Sequence, residues 1–334
     1  MKKEILAIVA ISVIQGIKIK RVCSLLRISV HRVRRWQRRV SLVDAKPGPV
    51  NAPHALLREE KDAILKLALD EKYVDDSHRV LAAKGADLGL FYVSASAAYH
   101  VMRQSSLTVD RTGCCRKNGK RTAPDRPDID GPNQRWCWDI TYCRTRVKGI
   151  FLYLYTLLDE YSRKVISWRI SWYINHKEAM ELLQEGLENE GLEDIDVKLP
   201  DLINDRGTQM KARAFMRMCK DLGIEQKFAR PRTPNDNPFI ESLFSIVKGY
   251  PRYPDSFVDD IEAITYFTAF FDFYNDSRYH GRIGFVTPNQ KHTGVDKRII
   301  KRRKVGMERA RQLRFRINRN PSASQRVDVG AAVA

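Results

Sequence analysis

The sequence has no CxxC pair and no His-x-x-x-His, and its six cysteines are scattered through 334 residues. Neither a structural zinc site nor a disulfide framework is expected from that pattern; reduced thiols in a cytoplasmic protein fit it. An apolar run long enough to cross a bilayer is also missing. Residues 5–14 follow Lys2 and Lys3 as the core of a signal peptide would, but ten residues are too few to span. No small-x-small cleavage site follows, and Lys18, Lys20 and Arg21 arrive at once. The run is expected to be the buried helix of a small module, and no membrane partner is expected. Net charge, too, is lacking outside two segments. Residues 18–46 carry ten Lys/Arg against one Asp, and residues 297–319 carry eleven against one Glu. These contribute +9 and +10 of a total of +19, so the remainder is neutral. Two cationic ends around a balanced middle suit a protein that grips a polyanion, although solvated tails would carry the same charge.

Breakers divide the rest. Residues 18–26 and 30–39 read as helices around a turn at Arg27-Ile28-Ser29, with Ser29 placed to cap the second. Val22, Leu25, Leu26, Ile28, Val30 and Val33 form an apolar seam at helical spacing. Arg32, Arg34, Arg35, Arg38 and Arg39 make the second helix strongly cationic. This is a helix-turn-helix pattern, whose second helix is expected to enter a DNA major groove, and those five arginines are the candidate DNA contacts. The segment 1–46 is thus a candidate DNA-binding domain, ending at the breakers Pro47-Gly48-Pro49. Residues 47–107 are again helical in pattern, either a second DNA-binding unit or a plain spacer. Residues 108–135, rich in Arg, Lys, Pro, Gly and Asp without periodicity, read as a basic linker.

From Trp136 the pattern turns to strands: 136–142, a nearly continuous apolar run at 151–158, and 163–172. A helix at 176–190, a short strand at 201–204, a helix at 209–222, a strand at 224–229 and a helix at 239–250 follow. Three strands as hairpins and then alternating helices and strands is the ribonuclease H-like order, an α/β core with a mixed five-stranded sheet. The core is expected over 136–290, with a basic C-terminal tail at 291–334.

Three acids stand out by position. Asp139 lies inside the first strand, Asp205 follows the short fourth strand, and Glu241 sits on the helix after the breaker-rich 231–238. If the first and fourth strands are neighbours, both aspartates emerge at the centre of the sheet and the helix brings Glu241 over them. Such carboxylates suit two divalent cations, Mg2+ with Mn2+ as a substitute, which prefer oxygen ligands and keep positions open for water and phosphate. Two ions activate the attacking oxygen and stabilise the leaving one at phosphorus. A lone acid in a strand is more often a turn or salt-bridge residue. The spacing adds specificity: 35 residues separate Asp205 from Glu241.

Here the sequence resembles the DDE transposases of bacterial insertion sequences and the related retroviral integrases, whose second Asp-to-Glu interval is of that length. Trp138-Asp139-Ile140-Thr141 is similar to the family's first motif. Asn204-Asp205-Arg206-Gly207-Thr208-Gln209 resembles its second, with Asn and Arg as variants. The stretch from Arg230 to Asn237, followed by Ile240-Glu241-Ser242, resembles its third. Tyr274-Asn275, Arg278, His280 and Thr287-Pro288 resemble a further signature of the insertion-sequence branch, with Tyr279 where proline is commoner. The resemblance implies catalytic and metal-holding roles for Asp139, Asp205 and Glu241. It also implies a DNA contact for Lys248, two helical turns beyond Glu241 on the same face.

The resemblance implies cleavage at transposon ends and strand transfer into target DNA. Double-stranded DNA would be the partner, and pairing two ends would require at least a homodimer. A non-catalytic repressor would explain the helix-turn-helix and the charge but not the acids. A nuclease or junction resolvase would share the sheet order but not the 35-residue interval. Asp159, after the second strand, reads as part of a hairpin turn rather than a ligand, and His176 and His292 show no partner in the sequence.

Overall fold

The computed structural model describes residues 1–43, 52–108, 128–194, 197–204, 212–228 and 237–319. Two compact units divide the chain, Met1–Ala55 and Leu56–Ala334.

The smaller unit holds α1 (Lys2–Ile14), α2 (Ile19–Leu25) and α3 (Val30–Gln37). Its core is Val9, Val22, Cys23 and Val33, with Ile5, Leu6, Ile19, Leu26, Ile28 and Val30 packed around them. The seam expected for a helix-turn-helix is therefore largely its core, except that Leu25 is exposed. The tight turn between α2 and α3 has no glycine; Arg27 takes the left-handed conformation there, at φ 53°. Ser29 stands at the N-cap of α3 without a side-chain capping bond. The helix is two residues shorter than expected, so Arg38 is its C-cap and Arg39 lies beyond. The apolar run of α1 is not a wholly buried helix either, since only Val9 is buried while Ile8, Ile11 and Ile14 are exposed.

The larger unit opens with α4 (Arg58–Leu69), α5 (His78–Asp87) and α6 (Ala95–Gln104). Ser77 and Ser94 cap the last two by accepting from Val80 N and Ala97 N. Ile64, Leu67, Leu81, Phe91, Val93, Ala98, Val101 and Met102 close a separate helical core.

Next come β1 (Arg135–Arg144), β2 (Phe151–Asp159), β3 (Val165–Ser171), α7 (His176–Asn189), β4 (Asp201–Asn204), α8 (Arg213–Asp221), β5 (Gln226–Phe228) and α9 (Pro238–Lys248). The sheet order is β3-β2-β1-β4-β5. β1, β2 and β3 pair antiparallel as hairpins, and β4 joins β1 in parallel, as does β5 with β4. This is the mixed five-stranded, ribonuclease H-like sheet, with β1 at its middle.

Both faces are covered. On one, Trp136, Trp138, Tyr155, Leu157, Ile166 and Leu202 pack against α7 and α8. Gly186 lets α7 come close: a Cβ there would lie 2.6 Å from Leu157. On the other face, Cys137, Cys143, Leu152, Leu154 and Ile203 pack against α9 and α10 (Asp260–Asp276). Phe257, Phe267, Phe270, Phe271 and Tyr274 fill the space beneath. Burying aromatics of this size stabilises the sheet by ~2 kcal/mol or more per side chain.

A 3-10 turn (Gly281–Ile283), α11 (Pro288–His292) and α12 (Asp296–Arg319) follow. The segment read as a basic tail from 291 is thus a 24-residue helix over most of its described length. The expected linker falls largely on residues 109–127, outside the described residues.

Candidate active site

Alternation along β1 decides which side chains share a face. Cys137 and Cys143 point to the α9 side and Trp136 and Trp138 to the α7 side. Asp139, two residues from Cys137, therefore belongs to the α9 face, half-buried, and accepts from Ile140 N at 2.8 Å. Directly across the strand pair stands Thr156, fully buried.

β4 lies alongside the same stretch, with Cys137 opposite Ile203. Its last residue, Asn204, is buried and accepts a hydrogen bond from the Trp138 indole. The first and fourth strands are thus neighbours, as the placement of the two aspartates requires. Asp205 itself, with residues 206–211, lies outside the described residues.

α9 is fixed to this region at its first turn. Pro238 occupies the start of the helix, where its missing N–H costs nothing. Asn237 is buried, its Nδ2 donates to the Trp138 carbonyl at 3.4 Å, and its carbonyl accepts from Glu241 N. The bond ties the helix start to the residue immediately before Asp139. Ile240, Leu243 and Val247 press α9 onto the sheet, while Glu241 and Lys248 are exposed. Glu241 lies in the first helical turn, where the backbone dipole favours a carboxylate. The fold therefore brings Asp139 and the turn of Glu241 to one face.

Lys248, the last residue of α9, stands at the other end of that helix, about 10 Å along the axis from Glu241. It lies beside the far part of β1: burial pushes the Cys143 thiol up to about 11, with Tyr253 and the Lys248 charge acting against the rise.

Among the described residues no three His, Cys, Asp or Glu side chains form a metal-holding group. The donor chemistry nonetheless fits a hard cation. Asp139 and the turn that bears Glu241 lie on the same side of the sheet, and two further oxygens, Thr156 Oγ1 and Asn237 Oδ1, are buried without a hydrogen-bond partner.

The family description "Integrase core domain" matches residues 130–234, and a second family of the same description matches residues 222–288. InsK, the transposase assigned to insertion sequence element IS150 of Escherichia coli strain K12, is 26% identical over 189 residues. That alignment covers 55% of this chain and 65% of InsK. The transposase InsD of insertion element IS2 from Escherichia coli is 24% identical over 204 residues, covering 60% and 67%. Residues 130–288 thus match integrase core domain families, and the chain is similar to transposases of bacterial insertion sequences.

Among solved structures, the catalytic core domain of HTLV-2 integrase in complex with magnesium aligns with a TM-score of 0.37 and 16% identity. It covers 48% of this chain and 97% of that one. The residues matched by the two families, 130–288, take in the five-stranded sheet, α7 to α10 and the 3-10 turn, and stop at the first residue of α11. The segments aligned with InsK and InsD span about two thirds of each relative.

Several polar residues of this integrase-type core were not selected from the sequence. Ser162 and Glu190 join Asp159 and His292 in one buried group. Asp159 does sit at a hairpin, accepting from Ser162 N at 2.7 Å and from Asn133 N at 3.0 Å. His292, without a visible partner in the sequence, meets Glu190 at 2.7 Å. Those pairings span 102 and 130 residues, a separation that no local spacing reveals. His280, part of the signature Tyr274-Asn275, Arg278, His280, is half-buried against Tyr274 with Nε2 buried and unpartnered, and burial followed by the charges of Arg278 and Arg163 lowers its pKa to about 4.

Proposed function

We propose that this chain is a transposase that cuts transposon ends and transfers the freed 3′ strands to target DNA. The supporting observation is the convergence of Asp139 and the Glu241-bearing turn of α9 on one sheet face, in a chain with the family's 35-residue interval. Asp139 and Glu241, with Asp205, would hold two Mg2+ ions, with Mn2+ able to replace them. These ions supply charge for activating the attacking oxygen and stabilising the leaving one. The chain's own contribution is positional. β1 fixes Asp139, the Asn237–Trp138 bond sets the start of α9, and the rigid helix holds Glu241 over the strand. No protein nucleophile is required.

Double-stranded DNA is the proposed partner, bound as a homo-oligomer that pairs two ends. Among the described residues, no helix is long and apolar enough to cross a membrane. Incubating the protein with element ends, target plasmid and Mg2+ should give joined products. Nicked ends without any joining would favour a plain nuclease, and binding with neither would favour a repressor.

End recognition is assigned to the smaller unit, where Arg32, Arg34, Arg35 and Arg38 are exposed on or just after α3, with Arg39 following. Deleting residues 1–46 should reduce the preference for element ends over random duplex by about 100-fold or more, leaving weak, salt-sensitive binding. Competition binding measures this; an undiminished preference would place recognition elsewhere.

Lys248 is proposed to hold a DNA phosphate at the end of α9. Lys248→Ala should slow joining of a pre-cut end roughly tenfold, the value of one charged hydrogen bond, and Lys248→Arg should slow it less. Wild-type rates for the alanine variant at saturating metal would remove the lysine from the site.

A further inference from the structure

α12 does two separable things with its cations. One face anchors the helix. Arg303 pairs with Asp87 at the end of α5 and donates to the carbonyls of Gly284 and Phe285. Arg314, buried, grips the Glu60 carboxylate of α4 with bonds of 2.8 Å and also donates to the Tyr92 carbonyl. Tyr279 donates to the same Asp87 at 2.7 Å. Ile299 is buried on this side, and at Gly306 the helix passes so close to Tyr92 that a Cβ would stand 2.1 Å from the ring. Such bidentate, mostly buried pairs hold a helix in one orientation.

The other face is left cationic. Lys297, Lys301, Lys304, Arg309, Arg311 and Arg316 are exposed and meet no acidic side chain among the described residues. The one acid among them is Glu308, which accepts from Gln312. Beside Tyr92 lies an open groove lined by Arg298, Lys301, Arg302 and Arg309, with no acid in its lining.

We propose that α12, docked on α4–α6, is a second binding surface for duplex DNA, contacting the phosphate backbone without reading bases. A 24-residue helix is about 36 Å long, close to one turn of B-DNA, so its cations can follow successive phosphates. Its apolar side is turned into the protein. The exposed Val305, Leu313 and Phe315 are scattered rather than gathered into the stripe that a lipid surface requires. The choice of DNA as the polyanion rests on the proposed transposase reading; the anchored cationic face does not.

The test uses the whole protein, a random-sequence duplex and EDTA, so that neither cleavage nor end recognition enters. The variants are the triple Lys301→Gln/Lys304→Gln/Arg311→Gln and the single Glu308→Lys. In log affinity against log salt, the triple should flatten the slope by about 2 to 3, near 0.9 per lost phosphate contact. Glu308→Lys should steepen it by up to about 0.9, a gain that misfolding cannot imitate. Unchanged slopes in both variants would overturn the proposal. So would a loss confined to phosphatidylserine vesicles or single-stranded RNA with duplex binding intact. The slope is read in EDTA without cleavage or joining, so failure of the catalytic reading and failure of this one remain distinguishable.

Discussion

Asp139→Asn, Asp205→Asn and Glu241→Gln should each reduce strand joining by roughly a thousandfold or more while leaving binding to element ends nearly unchanged. Each replacement keeps the side-chain volume and removes one anionic oxygen ligand. If two cations span the attacking and leaving oxygens, losing a ligand displaces a charge worth several kcal/mol to the transition state, and about 4 kcal/mol is a factor near a thousand. The surroundings of the two described acids predict little structural damage. Glu241 is exposed on a helix held by Ile240, Leu243 and Val247, and Asp139 is half-buried in a strand paired along its whole length. Joining of a pre-cut, labelled end at saturating Mg2+ measures the effect, with thermal unfolding as the control. Near-normal joining by any two of the three variants would dismiss the assignment.

Why the sheet could be read from sequence, and α12 could not, follows from where each element's partners lie. A strand buried on both faces announces itself by a continuous apolar run, and β2 begins at Phe151 as that run does. The bounds of β4 were also legible, since apolar Leu202 and Ile203 are bracketed by Asp201 and Asn204. Asp139 could be assigned to the sheet's centre because parallel pairing of β1 with β4 follows from the order of elements. α12 is different. Arg314 is buried in it and the Arg303 side chain is largely covered, so cations stand where apolar residues would mark a packed face, and composition reads it as a solvated charge run. The acids that justify burying those arginines, Asp87 and Glu60, lie 216 and 254 residues away. The apolar core of α1 to α3 was legible because its contacts are local. The two residues lost from the end of α3 are arginines, which have good helix propensity but stand exposed, and burial of a face rather than propensity sustains most helices.

The same non-locality governs the largest expected effect on stability, which concerns His292. Its ring is largely buried where α11 meets the β2–β3 hairpin and the end of α7. Nε2 faces Glu190 at 2.7 Å, and Nδ1 faces Ser162 Oγ at 2.9 Å and Asp159 at 3.7 Å. Burial alone would lower the histidine's pKa, but hydrogen bonds and charge from Asp159 and Glu190 outweigh it and raise it to about 9. For Glu190, burial would raise the pKa, yet His292, Lys164 and Asn133 hold it down to about 2. A histidine raised above its unfolded value near 6.5 contributes stability that is fully present below that pH and lost as pH rises to about 9. The contribution is about 3 kcal/mol. A carboxylate depressed from about 4.5 acts in the opposite window, contributing above that pH and losing the contribution as pH falls towards 2. Because the two groups share one contact, the gains are not additive. Urea unfolding of the wild type should therefore lose about 3 kcal/mol between pH 6.5 and 9 relative to His292→Gln. The variant should be flat across that window and weaker than wild type at its acidic end, since Asp159 would lose the imidazolium beside it and Glu190 would keep Lys164 as its cation. Parallel pH profiles for the two proteins would show that His292 is neutral in the folded state across that window.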